Sequence, residues 1–172
     1  MTAPQMKNLE CLLSSMRDAF GSIKHSRFFE SERAFQGQLL VELQKRIYLP
    51  DQAIFEQEHQ KRLKGHGTNI RPDIIVHEPY NPKRHSSRSD GNLAVIELKL
   101  KAGVTEATAD FHSLAVMCDL LRYEVGIFVN IASIETHASL IPAEARGHIV
   151  SFAVSLVDGE VNVIDSRVQS EL

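Results

Sequence analysis

Apolar residues recur at helical spacing near the start of the chain, first at Leu9, Leu12, Leu13, Met16 and Phe20, then at Phe35, Leu39, Leu43 and Ile47. Two amphipathic helices are expected there, with Pro50 helping to stop the second. Beyond it the period drops to two, and strands are expected over residues 54–60, 70–78 and 93–101. In the last of these, Ala94, Ile96, Leu98 and Leu100 alternate with Leu93, Val95, Glu97, Lys99 and Lys101. Side chains alternate across a strand, so Glu97, Lys99 and Lys101 are expected on one face. Residues 105–123 return to helical spacing through Phe111, Leu114, Ala115, Cys118 and Leu121. The run VGIFVNIA at 125–132 is almost wholly apolar, as a strand covered on both faces would be. A short helix over 134–146 and strands over 149–157 and 160–164 close the pattern, the strands joined through the hairpin dipeptide Asp158-Gly159.

With 172 residues the chain can bury one sizeable core, so a single domain spanning 1–172 is expected. Apolar residues make up 43% and charged residues 24%, and no run reaches the length of a membrane span. The first twenty residues carry Glu10 and Asp18 and lack a secretory apolar block, which points to the cytoplasm. Cys11 and Cys118 fall in helical apolar patterns and read as buried thiols. The eight histidines show no zinc spacing, and Gly65 and Gly67 are not followed by the Lys-Ser or Lys-Thr of a phosphate loop. A net charge of −3 excludes a uniformly basic surface, but positive charge is clustered locally. One cluster is Lys61, Arg62, Lys64, His66 and Arg71; the other, Lys83, Arg84, His85 and Arg88, lies in the polar loop of residues 79–92. Solvated loops are the ordinary reading of both.

Chemistry concentrates on two strands. In RPDIIVHEP, Asp73 stands at the entrance to Ile74-Ile75-Val76; in AVIELKLK, Glu97 and Lys99 interrupt an apolar segment. A hard cation such as Mg²⁺ takes carboxylate oxygens, keeps several waters and leaves room for phosphate. Asp73 and Glu97 suit it, and the backbone carbonyl of Leu98 would add a third oxygen if the strand edge turns inward. Lys99 would share the pocket, where it could orient or deprotonate water or neutralise charge on phosphorus. Singly, each residue has a plainer reading: Asp after Pro as a turn residue, Glu-x-Lys as a solvated pair. Their coincidence on consecutive strands separated by one polar loop favours a site. On the second helix Glu32, Gln36, Leu39 and Leu43 share a stripe, which brings Glu32 in as a fourth member. Glu32 would equally suit the positive end of the helix dipole. Glu42 falls off the stripe and reads as a flank residue. Asp110 and His112, at the start of the third helix, could line the cleft or assist a second metal, but Asp110 reads first as a helix N-terminal acid and His112 as a surface residue; His77 reads as a substrate contact or a structural histidine.

These residues resemble the motifs of the PD-(D/E)XK nuclease superfamily, with Pro72-Asp73 matching the first and Glu97-Leu98-Lys99 the second. The helical glutamate falls on Glu32, with Gln36 one turn later, and the order helix, three strands, helix, strand extends the likeness over residues 31–132. The resemblance implies a three-layer α/β/α sandwich around a central mixed β-sheet, a restriction-endonuclease-like core. It also implies Mg²⁺ as cofactor with Mn²⁺ as a substitute, and an endonuclease or exonuclease acting on phosphodiester bonds, most commonly in DNA. The catalytic set would be Asp73, Glu97, Lys99 and Glu32, with metal held by Asp73, Glu97 and the Leu98 carbonyl. Lys83, Arg84, Arg88, Lys101 and Gln36 would contact nucleic acid, and cutting both strands of a duplex would call for a homodimer. Two alternatives stand beside this: an inactive module of the same fold that binds nucleic acid or protein, and an interaction domain with no nucleic-acid partner.

Overall fold

The computed structural model describes residues 3–47, 49, 52–57 and 70–167. Its elements are α1 (Ala3–Gly21), α2 (Glu32–Arg46), β1 (Ile54–Gln57), β2 (Ile74–His77), β3 (Asn92–Leu100), α3 (Val104–Leu121), β4 (Val125–Ile131), β5 (Ile149–Val157) and β6 (Glu160–Asp165). The strands form one sheet in the order β1-β2-β3-β4-β5-β6. β3, β4 and β5 pair in parallel, while β1-β2, β2-β3 and β5-β6 are antiparallel.

Helices cover both faces of this mixed sheet. On one side α1 and α2 bury Met16, Phe20, Phe35, Leu39 and Leu43 against Ile96, Leu98, Val129 and Phe152. Phe20 links the layers, with ring centroids 6.1 Å from Phe35 and 5.3 Å from Phe152. On the other side α3 sets Ala107, Phe111, Leu114, Met117 and Leu121 against Ile75, Val95 and Phe128. That helix lies close to β4 because Gly126 has no side chain. A Cβ there would meet Leu114 Cβ at 3.2 Å and Cys118 Sγ at 3.3 Å. The fold is α/β and restriction-endonuclease-like, the class read from the sequence.

Local chemistry sets the element ends. The Ser31 hydroxyl caps α2 by accepting from Ala34 N at 3.2 Å. Gly103 precedes α3, and the Glu106 carboxylate returns to accept from its amide at 3.0 Å. Asp158 and Gly159 both adopt positive φ, 51° and 81°, the backbone of the tight hairpin expected of that dipeptide.

Several expectations are corrected. Residues 134–146 form no α-helix; two 3-10 turns, Ala138–Leu140 and Ala143–Ala145, flank Pro142, which cannot donate an amide and holds Ile141 extended. Cys11 is exposed, on the outward side of α1, and Cys118 is only partly covered. Lys101 does not continue the alternation of β3: it lies past Leu100 with φ 54°, exposed, its amide donating to Ile131 O at 2.8 Å. Glu42 is buried, between Lys45 and Arg46. Pro50 and the basic residues Lys61, Arg62, Lys64 and His66 lie outside the described residues.

Candidate active site

β3 outruns β2. The last paired residues are Ile74 and Ile96, so the edge of β3 from Glu97 to Leu100 has no neighbouring strand on that side. An unpaired strand edge presents amides that need acceptors. Two carboxylates supply them: Asp73 Oδ2 accepts from Leu98 N at 2.7 Å, and Glu32 Oε1 accepts from Leu100 N at 3.0 Å. Within a strand the N–H and C=O of one residue leave by the same edge, so the Leu98 carbonyl faces the side on which Asp73 lies.

Gln36 fixes the approach of Asp73. Its side chain is buried and donates from Nε2 to the Asp73 carbonyl at 2.7 Å. Glu97 is buried, with the Asp73 carboxylate close enough for its charge to act on it. Burial first, then the charges of Asp73 and Asp110, push the Glu97 carboxyl well above the usual carboxylate range.

Lys99 points to the same face as Glu97, with Nζ 4.0 Å from Asp110 Oδ2. Burial alone would pull its ammonium down, but Asp110, Glu32, Asp73 and Glu97 outweigh that and raise it. Asp110 is itself pushed up to about 6, by burial against the opposing pull of Lys99, with Asp73 and Glu32 adding to the rise. Four carboxylates therefore surround one lysine. The arrangement carries excess negative charge, and Asp110 Oδ2 is buried without a hydrogen-bond partner. Among the described residues no three His, Cys, Asp or Glu side chains close a ready-made cage. Two carboxylates and a carbonyl, completed by water and phosphate, still fit a hard cation such as Mg²⁺.

The fold thus brings Asp73, Glu97, Lys99, Glu32 and Gln36 together, with the Leu98 backbone between them. Asp110 joins them across the sheet and is more than a helix-end acid. It occupies the sheet-facing stripe of α3 near Ala107 and Leu114, and a charge interrupting that apolar stripe was the available signal. Lys83, Arg84 and Arg88 are not brought there. Their loop joins the end of β2 to the start of β3, and Asn92 to Lys99 spans about 23 Å of extended strand. Arg84 pairs with Glu78 at 3.3 Å, and Arg88 lies over the Tyr80 ring at 5.2 Å. His77 is also at that far end, 2.9 Å from Glu56 Oε2.

Next to the carboxylates opens a cleft of about 510 Å³ lined by Arg33, Gln36, Gly37, Gln57 and Arg71. Sequence reasoning passed over Arg33, although it follows Glu32 directly.

A mixed sheet with helices on both faces and charged residues at an outrunning strand edge defines a nuclease-like α/β fold. The solved structure of E. coli MS115-1 NucC in its cAAA-bound form is similar, with a TM-score of 0.50 and 12% sequence identity over 95% of this chain and 82% of that chain. At that identity the likeness shows the fold alone. No protein-family model matches the sequence, and no curated protein matches it. No helix among the described residues is long and apolar enough to cross a membrane.

Proposed function

We propose that this chain is a metal-dependent nuclease of the PD-(D/E)XK type that hydrolyses phosphodiester bonds in DNA. The observation that carries the reading is the grouping of Asp73, Glu97 and Lys99 at the unpaired edge of β3, with Glu32 and Asp110 on either side. Asp73, Glu97 and the Leu98 carbonyl would hold Mg²⁺, or Mn²⁺ in its place, and such an ion supplies a polarised phosphoryl oxygen and a more acidic water. The Lys99 ammonium orients the attacking water and offsets the charge that grows on the phosphoryl oxygens. Glu32 and Asp110 hold that ammonium over the carboxylates, while Gln36 keeps Asp73 in register with β3. A module that only bound nucleic acid would gain nothing from a buried Glu97 and three further carboxylates facing a polyanion.

The test incubates purified protein with labelled single- and double-stranded DNA and RNA, with Mg²⁺ or Mn²⁺ and then with chelator. Cleavage is expected with metal and not with chelator, and is expected to fall by about a hundredfold or more in Asp73→Ala and in Lys99→Ala. Cleavage at close to the wild-type rate in either variant overturns the site; no cleavage of any substrate under either metal overturns the function.

A further inference from the structure

We propose that the cleft lined by Arg33, Arg71, Gln36 and Gln57 is the track for the sugar-phosphate backbone of the strand being cut. The proposal rests on the nuclease reading above and adds to it where the substrate lies. Three features point to a phosphodiester chain. First, the cleft is continuous with the reaction centre: Gln36 lines it and also donates to the Asp73 carbonyl, so one side chain forms a wall common to both. Second, among the described residues its lining is two guanidinium groups and two carboxamides around Gly37, with no carboxylate, although four carboxylates stand just beyond that wall. Guanidinium forks match phosphate oxygens, and carboxamides donate to phosphate or sugar without regard to base. Third, Arg33 and Arg71 are both exposed and flank the centre from different elements. Arg33 follows Glu32 on α2, and Arg71 precedes Asp73 by two residues, so a strand held by both passes along the edge of β3. Gly37, open toward the cleft with nothing within 4 Å of a Cβ placed on it, leaves room for a backbone to lie close.

The track also replaces the loop of Lys83, Arg84 and Arg88, which the topology sets at the far end of the strands. Phosphate contacts carry affinity without sequence information, so this cleft fixes register and leaves base choice to other surfaces.

The experiment compares wild type, Arg33→Ala/Arg71→Ala, and Lys83→Ala/Arg84→Ala/Arg88→Ala on the same labelled DNA across a salt series. Cleavage gives kcat and KM. Binding is read by fluorescence anisotropy in a Glu97→Gln background with Mg²⁺, where the DNA stays whole. The double variant is expected to raise KM about tenfold or more with kcat little changed. Its salt slope is expected to fall by roughly 1.4 on single strands or 1.8 on duplex, the loss of two phosphate contacts. The loop variant is expected to match wild type. Both arginines are exposed, so folding should persist; Arg33→Lys/Arg71→Lys, which keeps charge, is expected to recover most of the binding. If wild type cleaves but the double variant keeps its KM and salt slope, or the loop variant alone loses them, the track is wrong and the nuclease reading stands. If wild type cleaves nothing, both fall.

Discussion

The carboxylate of Asp73 accepts a hydrogen bond from the backbone amide of Leu98 at 2.7 Å, across the point where β2 ends and β3 continues. Asp73 thereby takes the place of the missing strand, as Glu32 does two residues further on at Leu100. The bond consumes a fraction of the acceptor capacity of a carboxylate, which leaves oxygen lone pairs available on the side of Glu97. It also locks the peptide whose carbonyl faces the same edge. An edge that would otherwise invite another strand is thus converted into an oxygen-rich pocket.

The burial of Glu97 predicts a conflict between stability and function. Its carboxyl is held above the usual range by burial and by Asp73 and Asp110. A carboxyl with a raised folded pKa makes the folded protein bind its proton more tightly. Metal-free stability therefore grows as pH falls through that raised value toward the ordinary 4.5. Glu97→Gln removes the charge and keeps the shape. In chelator at pH 8 it is expected to melt higher than wild type, by about 2–4 °C for each kcal/mol relieved. Mg²⁺ is expected to raise the melting temperature of wild type and leave the variant unmoved. A variant that melts lower than wild type in chelator would refute the account.

Gln36 should influence the metal through Asp73. Gln36→Glu keeps the shape of the side chain and removes the donor to the Asp73 carbonyl. The expected result is a loss of 10- to 100-fold in apparent Mg²⁺ affinity, measured from the metal dependence of cleavage, with far-UV circular dichroism unchanged. Equal metal dependence in both proteins would show that Asp73 is held without Gln36.

The reach of sequence reasoning follows from how local each signal is. Alternation along β3 set Glu97 and Lys99 on the face opposite Ile96 and Leu98, and the stripe through Leu39 and Leu43 brought Gln36 and Glu32 toward the sheet. Such periodicities are properties of single elements. Which end of a hairpin faces the chemistry is not: the loop carrying Lys83 and Arg88 is adjacent to both motifs in sequence, yet antiparallel pairing sends it to the opposite end. Lys101 was misplaced because alternation does not reveal where a strand stops, and the left-handed turn that ends this one is fixed by distant groups. Asn130 Oδ1 accepts from Ala102 N at 2.9 Å there. Asp110 approaches Lys99 only once the crossover from β3 to β4 sets α3 over the sheet.

At the other end of the molecule, Asp165 ties the last strand to α1. Its buried carboxylate meets Arg167 at 2.6 Å and Arg17 at 3.1 Å. Burial would raise its pKa, but the hydrogen bonds and charge of Arg167, with Arg17, bring it below the ordinary 3.8. A depressed folded pKa contributes stability that is present above the unfolded value and is lost as pH falls through the folded one. Asp165→Asn is expected to cost about 1–2 kcal/mol at pH 7. That is less than a fully buried pair is worth, because both arginines keep much of their surface in water. In urea melts the gap between the two proteins should stay constant from pH 8 to about pH 5 and close below about pH 4. A gap that persists at pH 2 would assign the effect to shape and not to charge.

Lys99 and Asp110 test whether the lysine works alone. Their 4.0 Å separation and the burial of Asp110 Oδ2 make Asp110 a positioning residue, one that holds the ammonium over Glu97 without touching the reacting phosphate. Lys99→Ala is expected to lower kcat by about 10²- to 10⁴-fold, the range for a group that handles a proton or developing charge. Asp110→Asn should lower it by about tenfold with KM unchanged, since the ground-state contacts to substrate remain. The two losses should not add: once Lys99 is gone, Asp110 has nothing to hold, and the double variant should be no slower than Lys99→Ala. Additive losses would instead mean that Asp110 contributes through the metal shell, and its place would then be among the groups that hold the cation.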